Sequence, residues 1–137
     1  MALENFSTDK TVITVNGRLM SDWGESDPPY KDSPIDPSTK LQRGFGGSGV
    51  RFDRINPGRR VVLSFNPGTP DSAYMQALLN SRANITLSKT IVGTLEAAIG
   101  TEGVITINGD ANRGGANISD DVYTLEFNGW SEMKGGQ

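Results

Sequence analysis

With 137 residues, 35% of them hydrophobic, and 17 glycines, the chain is long enough to bury roughly two thirds of its unfolded surface around one core. It has neither cysteine nor histidine, which removes disulfides, thiol catalysis, Cys/His zinc sites and every Ser-His-Asp arrangement. A formal charge of −3 argues against an electrostatic grip on DNA phosphates or an anionic membrane, both of which need clusters of Lys and Arg.

Residues 1–137 read as a single domain. Met1 to Lys10 has no basic n-region and no apolar h-region, so the chain is expected to stay in cytosol-like surroundings, and no stretch approaches the roughly 18 apolar residues of a membrane span. Thr11 to Val15 alternates as a strand does, and Asn16-Gly17 returns it through Arg18-Leu19-Met20 as a hairpin. Between Ser21 and Gly49 the pattern breaks. Asp22, Glu25, Asp27, Asp32 and Asp36 with Pro28, Pro29, Pro34 and Pro37 predict a long extended loop over 21–49, of a length that is usually functional or disordered. Five large apolar residues scattered through it, Trp23, Tyr30, Ile35, Leu41 and Phe45, suggest docking onto a neighbouring copy.

Strands resume at Val50 to Ile55 and at Arg60 to Phe65, where Val61, Leu63 and Phe65 alternate with Arg60, Val62 and Ser64. Asn66-Pro67-Gly68 stops the second strand, and a helix follows over about 71–80. Thr69 or Asp71 caps it and Pro70 suits its first turn. Tyr74, Met75, Ala77, Leu78 and Leu79 supply an apolar stripe that must lie on a sheet. Ile85, Leu87 and Ile91 mark another strand. Thr94 to Ile99 is ambiguous, because Leu-Glu-Ala-Ala favours a helical turn by propensity yet lies between strands. Val104 to Asn108 and Val122 to Trp130 close the set, the last with Tyr123, Leu125 and Phe127 inward, and Lys134 to Gln137 reads as a frayed tail. The words VITVNG (12–17) and VITING (104–109) nearly coincide, either as the trace of two related halves or as chance between two hairpins.

No active site is legible. Gly44, Gly46 and Gly49 match the G-x-G-x-x-G spacing, but a dinucleotide turn needs a buried strand before it and a helix after it. Here a strand follows. The acidic loop lacks the EF-hand order of carboxylates and its final glutamate, so no metal or other cofactor is expected, and the chain does not read as an enzyme.

Taken in order, Val12 to Gly17, the segment Gly44-Phe45-Gly46-Gly47-Ser48-Gly49-Val50-Arg51, the strand Val61 to Phe65, and the turn and helix from Asn66 to Leu79 resemble the tail tube proteins of contractile-tailed bacteriophages. No single word is specific; their order over nearly the whole chain is. The resemblance implies a mainly β fold, an antiparallel sandwich or barrel with one short flanking helix. It also implies hexameric rings stacked into a tube inside a contractile sheath, the conduit for DNA ejection from a virion tail assembled in the host cytoplasm. Expected partners are other copies of the chain, sheath and baseplate or terminator proteins, and double-stranded DNA that passes without specific binding; no membrane is involved. The outward hydroxyls and carboxylate of Ser64, Thr86, Ser88, Thr124 and Glu126 would then face the lumen. A tube subunit of a phage-like injection or secretion machine would share the fold. A monomeric carbohydrate-binding sandwich is the contrasting alternative, with Trp23, Tyr30 and Trp130 stacking on sugars.

Overall fold

The computed structural model describes residues 11–26, 28–92 and 94–135. Met1 to Lys10, Asp27 and the end of the expected tail, Gly136-Gln137, lie outside the described residues. The elements run β1 (Thr11–Val15), β2 (Arg18–Leu19), β3 (Tyr30–Pro34), β4 (Thr39–Arg43), β5 (Gly49–Asp53), β6 (Arg59–Phe65), α1 (Pro70–Ser81), β7 (Ile85–Ile91), β8 (Glu96–Asn108) and β9 (Asp121–Met133). Every strand pairing is antiparallel. Seven strands form one sheet in the order β2-β1-β7-β8-β9-β6-β3, and β4 with β5 forms a separate ribbon.

The large sheet is curled. Lys89 on β7 and Asp32 on β3 stand four strands apart in the sheet order, roughly 19 Å at the usual spacing, yet their charged groups meet at 3.3 Å. The β1–β7 half therefore faces the β9–β6–β3 half, and the inward residues Ile13, Val15, Ile85, Leu87, Val61, Leu63, Phe65, Tyr123, Leu125 and Phe127 share one core. Among the described residues β2 and β3 do not pair, so the curl is sandwich-like and not a closed barrel. The fold line is β8, where Gly100 and Gly103 lie under Phe127: a Cβ on Gly103 would sit 2.4 Å from that ring. Glycine in a strand here marks close approach.

The helix closes one mouth of the sandwich. Pro70 occupies its first turn, Thr69 is the N-cap residue without a side-chain cap bond, and the Asp22 carboxylate accepts the Asp71 N–H instead, at 3.4 Å. The buried face is Asp71, Ser72 and Met75, with Leu78 packed at the core margin. Ala77, expected in the stripe, is exposed. Two polar side chains displace it because each is satisfied: Ser72 Oγ donates to Asp121, and Asp71 takes the bonds described below. Met75, fully buried, should lose about 2–5 kcal/mol of stability on replacement by Ala. Leu78→Ala should cost less than half of that, because Leu78 is only partly covered. Urea midpoints in the reverse order would show that Leu78 is the anchor.

Three expectations change. The 21–49 loop contains β3 and β4. β3 pairs with β6 from Tyr30↔Leu63 to Pro34↔Arg59; its proline was a reason to read loop, but an edge strand tolerates proline. Thr94 to Ile99 becomes strand from Glu96 onward, since Ala97 and Ala98 pair with Thr90 and Lys89; the ladder overrides local helix propensity. Finally, the two VIT words differ in use. The first ends in a tight turn at Asn16 (φ 50°) and Gly17 (φ 84°), and the second runs off β8 into residues 109–120.

Candidate self-association surface

The ribbon β4–β5 stands off the sandwich with all ten strand residues exposed. Its register pairs Thr39 with Asp53, Leu41 with Arg51 and Arg43 with Gly49 on one face, and Lys40 with Phe52 and Gln42 with Val50 on the other, because opposed residues in an antiparallel pair share a face. The tip is closed by Gly44 N–H to the Ser48 carbonyl, 2.7 Å, and Gly47 N–H to that of Gly44, 3.1 Å, with Gly47 at φ 92°. Phe45 at the tip is fully exposed, and Leu41, Val50, Phe52 and Ile55 are each more than half exposed. Four large apolar side chains on the hairpin, and Ile55 just after it, are thus left more than half uncovered.

Of the five residues expected to make contacts between copies, only Leu41 and Phe45 are on this ribbon. Trp23 stacks on Phe65 with centroids 5.3 Å apart and planes 13° apart, and is joined to it by an isolated backbone bridge. Tyr30 points inward beside Leu63, its hydroxyl donating to Asp32 at 2.8 Å. Ile35 packs against Gly58. These three are engaged within the chain because β3 runs along β6, which the loop reading did not foresee. Val50, Phe52 and Ile55, exposed beside Leu41 and Phe45, were not among the expected contact residues. The signal was available: TKLQR and GVRFD flank a glycine-rich turn as two alternating runs, which is a hairpin pattern.

The mouth opposite the helix is filled by charge. Asp32 accepts from Arg59 Nε at 3.0 Å, from Tyr30 and from Lys89, and Lys89, 6% exposed, also reaches Glu96 at 3.6 Å. Burial by itself would raise the Asp32 carboxyl, but the bonds from Arg59 and Tyr30 and the Lys89 charge outweigh it and hold it below the usual range. Burial, reinforced by Asp32, pushes the Tyr30 phenol far up. These bonds hold β3, β6, β7 and β8 together.

The lumen candidates fall on the outer face of the curled sheet, with one exception. Ser64 is 5% exposed: its N–H donates to Pro29 O at 2.9 Å and its carbonyl accepts from Gly24 at 3.0 Å, so Gly24 and Pro29 lie alongside it and it presents almost no surface. Thr86 is exposed, and Ser88, Thr124 and Glu126 are partly buried; Glu126 pairs with Arg60 at 3.2 Å. The outer face is not uniformly polar, as alternation had suggested. It also carries Val12, Leu19, Ile99, Val104 and Met133. The rings proposed to stack on sugars are all packed, Trp130 against Phe127 at 5.8 Å. A groove of about 430 Å³ beside the helix start is lined by Ser72, Gln76, Arg113, Asp121 and Tyr123, whose polar atoms bond one another.

No protein-family model and no curated protein sequence matches the chain. Solved structures do. The chain is similar to the anti-feeding prophage cap, the AFP tube-terminating cap, with TM-score 0.61 and 13% identity over 98% of this chain and 94% of that one. It is similar to the sheath/tube terminator of an extracellular contractile injection system, PVC, in the extended state, with TM-score 0.59 and 15% identity over 97% and 99%. A chain of the PVC sheath–tube complex, also extended, gives 0.58 and 14% over 95% and 92%. At these identities the likeness is one of fold: this sequence adopts the fold of tube-associated proteins of contractile injection systems.

Proposed function

We propose that this chain is a structural subunit of a contractile tail or phage-like injection machine, forming hexameric rings that stack as a tube within a sheath. The observation that carries the reading is the exposed apolar ribbon Thr39–Asp53, which projects from a fold shared with a tube cap and with a sheath–tube chain over nearly the full length of each. A monomer gains nothing from Leu41, Phe45, Val50 and Phe52 in water, whereas a ring-to-ring contact buries them. Open sheet edges at β2 and β3 suit closure by neighbours in the ring. Thr86, Ser88, Thr124 and Glu126 line the lumen, where the lack of a cationic cluster lets DNA or another cargo pass unheld.

A second reading, that of a terminator ring at the end of the tube, is favoured by the likeness to a tube-terminating cap and a sheath/tube terminator. Negative-stain microscopy of the purified chain separates the two: long tubes support the tube subunit and single six-fold rings the terminator. A monodisperse monomer at high concentration would exclude both. Replacing residues 40–52 by a short Gly-Ser turn should leave a folded subunit that no longer stacks. The junction is already close, Arg54 N–H bonding Ser38 O at 2.9 Å.

A further inference from the structure

We infer that the ribbon recognises an acidic surface of a second copy of this chain, so that stacking is electrostatic as well as apolar; this rests on the self-assembly proposed above and specifies its partner surface. Charge is segregated in the sequence. Residues 39–54 hold Lys40, Arg43, Arg51 and Arg54 against Asp53, a net +3, in a chain of −3, which leaves −6 on everything else. Arg51 pairs with Asp53 at 2.8 Å and Arg54 with Asp36 at 3.8 Å, while Lys40 and Arg43 have no ion pair among the described residues. Cations stand beside apolar groups on both faces of the ribbon: Lys40 with Phe52 and Val50, Arg43 and Arg51 with Leu41. A complementary surface must offer carboxylates.

The rest of the chain supplies one. Asp120 accepts the Ser26 N–H at 2.8 Å and hydroxyl at 2.7 Å, and although burial would raise its carboxyl, those bonds and that from the Glu25 N–H hold it below the usual range. Glu25 is therefore beside it and exposed. Any second copy brings this acidic corner at equal concentration. Nucleic acid fits less well, because Leu41, Val50 and Ile55 offer phosphates nothing and the remaining −6 repels them.

The test is sedimentation velocity of the full chain at low and high salt. Association of the parent should weaken as salt rises, since exposed charges are screened. The Lys40→Glu/Arg43→Glu variant should associate about tenfold more weakly at low salt with an unchanged melting midpoint, all its altered residues being exposed. Mixing it with a Glu25→Lys variant should restore association, because the charges again oppose. If the reversed ribbon assembles like the parent at every salt while the Gly-Ser truncation does not, the electrostatic inference fails and the stacking role stands. If the truncation also assembles, or if no variant and no parent assembles, both fail. Binding of a short DNA duplex by the parent that is lost in the reversed variant would overturn the inference in favour of nucleic acid.

Discussion

Replacing Asp71 by Ala is expected to remove about 2–5 kcal/mol of stability, out of a total of about 5–15 kcal/mol for a domain of this kind. The carboxylate is 2% exposed. One oxygen accepts the N–H groups of Ser21 at 2.7 Å and Asp22 at 3.0 Å, and the other accepts Arg18 Nε at 3.0 Å. It ties the first turn of α1 to the segment leaving the β1–β2 hairpin. Arg18 is partly exposed and can return to water, so the cost lies chiefly in two orphaned amides at about 1–3 kcal/mol each. Burial tends to raise this carboxyl, yet the two amides and Arg18 prevail and hold it below its ordinary value. A depressed folded pKa contributes stability that is complete above the unfolded value, about 3.9, and is lost as pH falls through the folded one. The parent should therefore weaken from about pH 4 downward, and Asp71→Ala should decline less steeply there. Urea titrations between pH 7 and 3 measure both; a loss under 1 kcal/mol at pH 7 would mean that water replaces the carboxylate.

Asp32→Asn should cost about 3 kcal/mol, the low end for breaking a buried pair, because Glu96 still faces Lys89 at 3.6 Å. The sign with pH is that of Asp71, since the Asp32 carboxyl is likewise depressed. The double variant Asp32→Leu/Lys89→Met should recover only the part of the loss that falls on Lys89, because Arg59 and the Tyr30 hydroxyl still lack their acceptor. A double-mutant cycle by chemical denaturation gives the coupling directly. Additive losses in that cycle would show that the two charges do not depend on one another across the sandwich.

In the assembly proposed above, stacking and the stability of the subunit are thus carried by different residues. Asp71 and Asp32 close the two mouths of one curled sheet, while the ribbon lies outside it. A substitution at Phe45 or Phe52, both exposed, should leave the melting midpoint unchanged, whereas one at either carboxylate should not.

The sequence by itself determined the elements whose signals are local. Alternation in Val61-Leu63-Phe65 and Tyr123-Leu125-Phe127, the Asn16-Gly17 turn and the Pro70 helix start all reappear where the periodicity put them, because a strand's faces and a helix's first turn are set by neighbouring residues. The hairpin β4–β5 was also legible, in two alternating runs about a glycine turn, and was obscured by the prolines and acids before it. Tertiary structure alone decided the rest. Asp32 looked like one more loop carboxylate until curling brought Lys89 from four strands away; Ser64 looked outward until Gly24 and Pro29 bonded alongside it. Trp23 and Tyr30 read as residues of a solvated loop, and the fold packs them against Phe65 and beside Leu63. Each of these depends on which distant segments come together. That pairing is chosen by the shared burial of the core and the satisfaction of buried charge, neither of which has a sequence period.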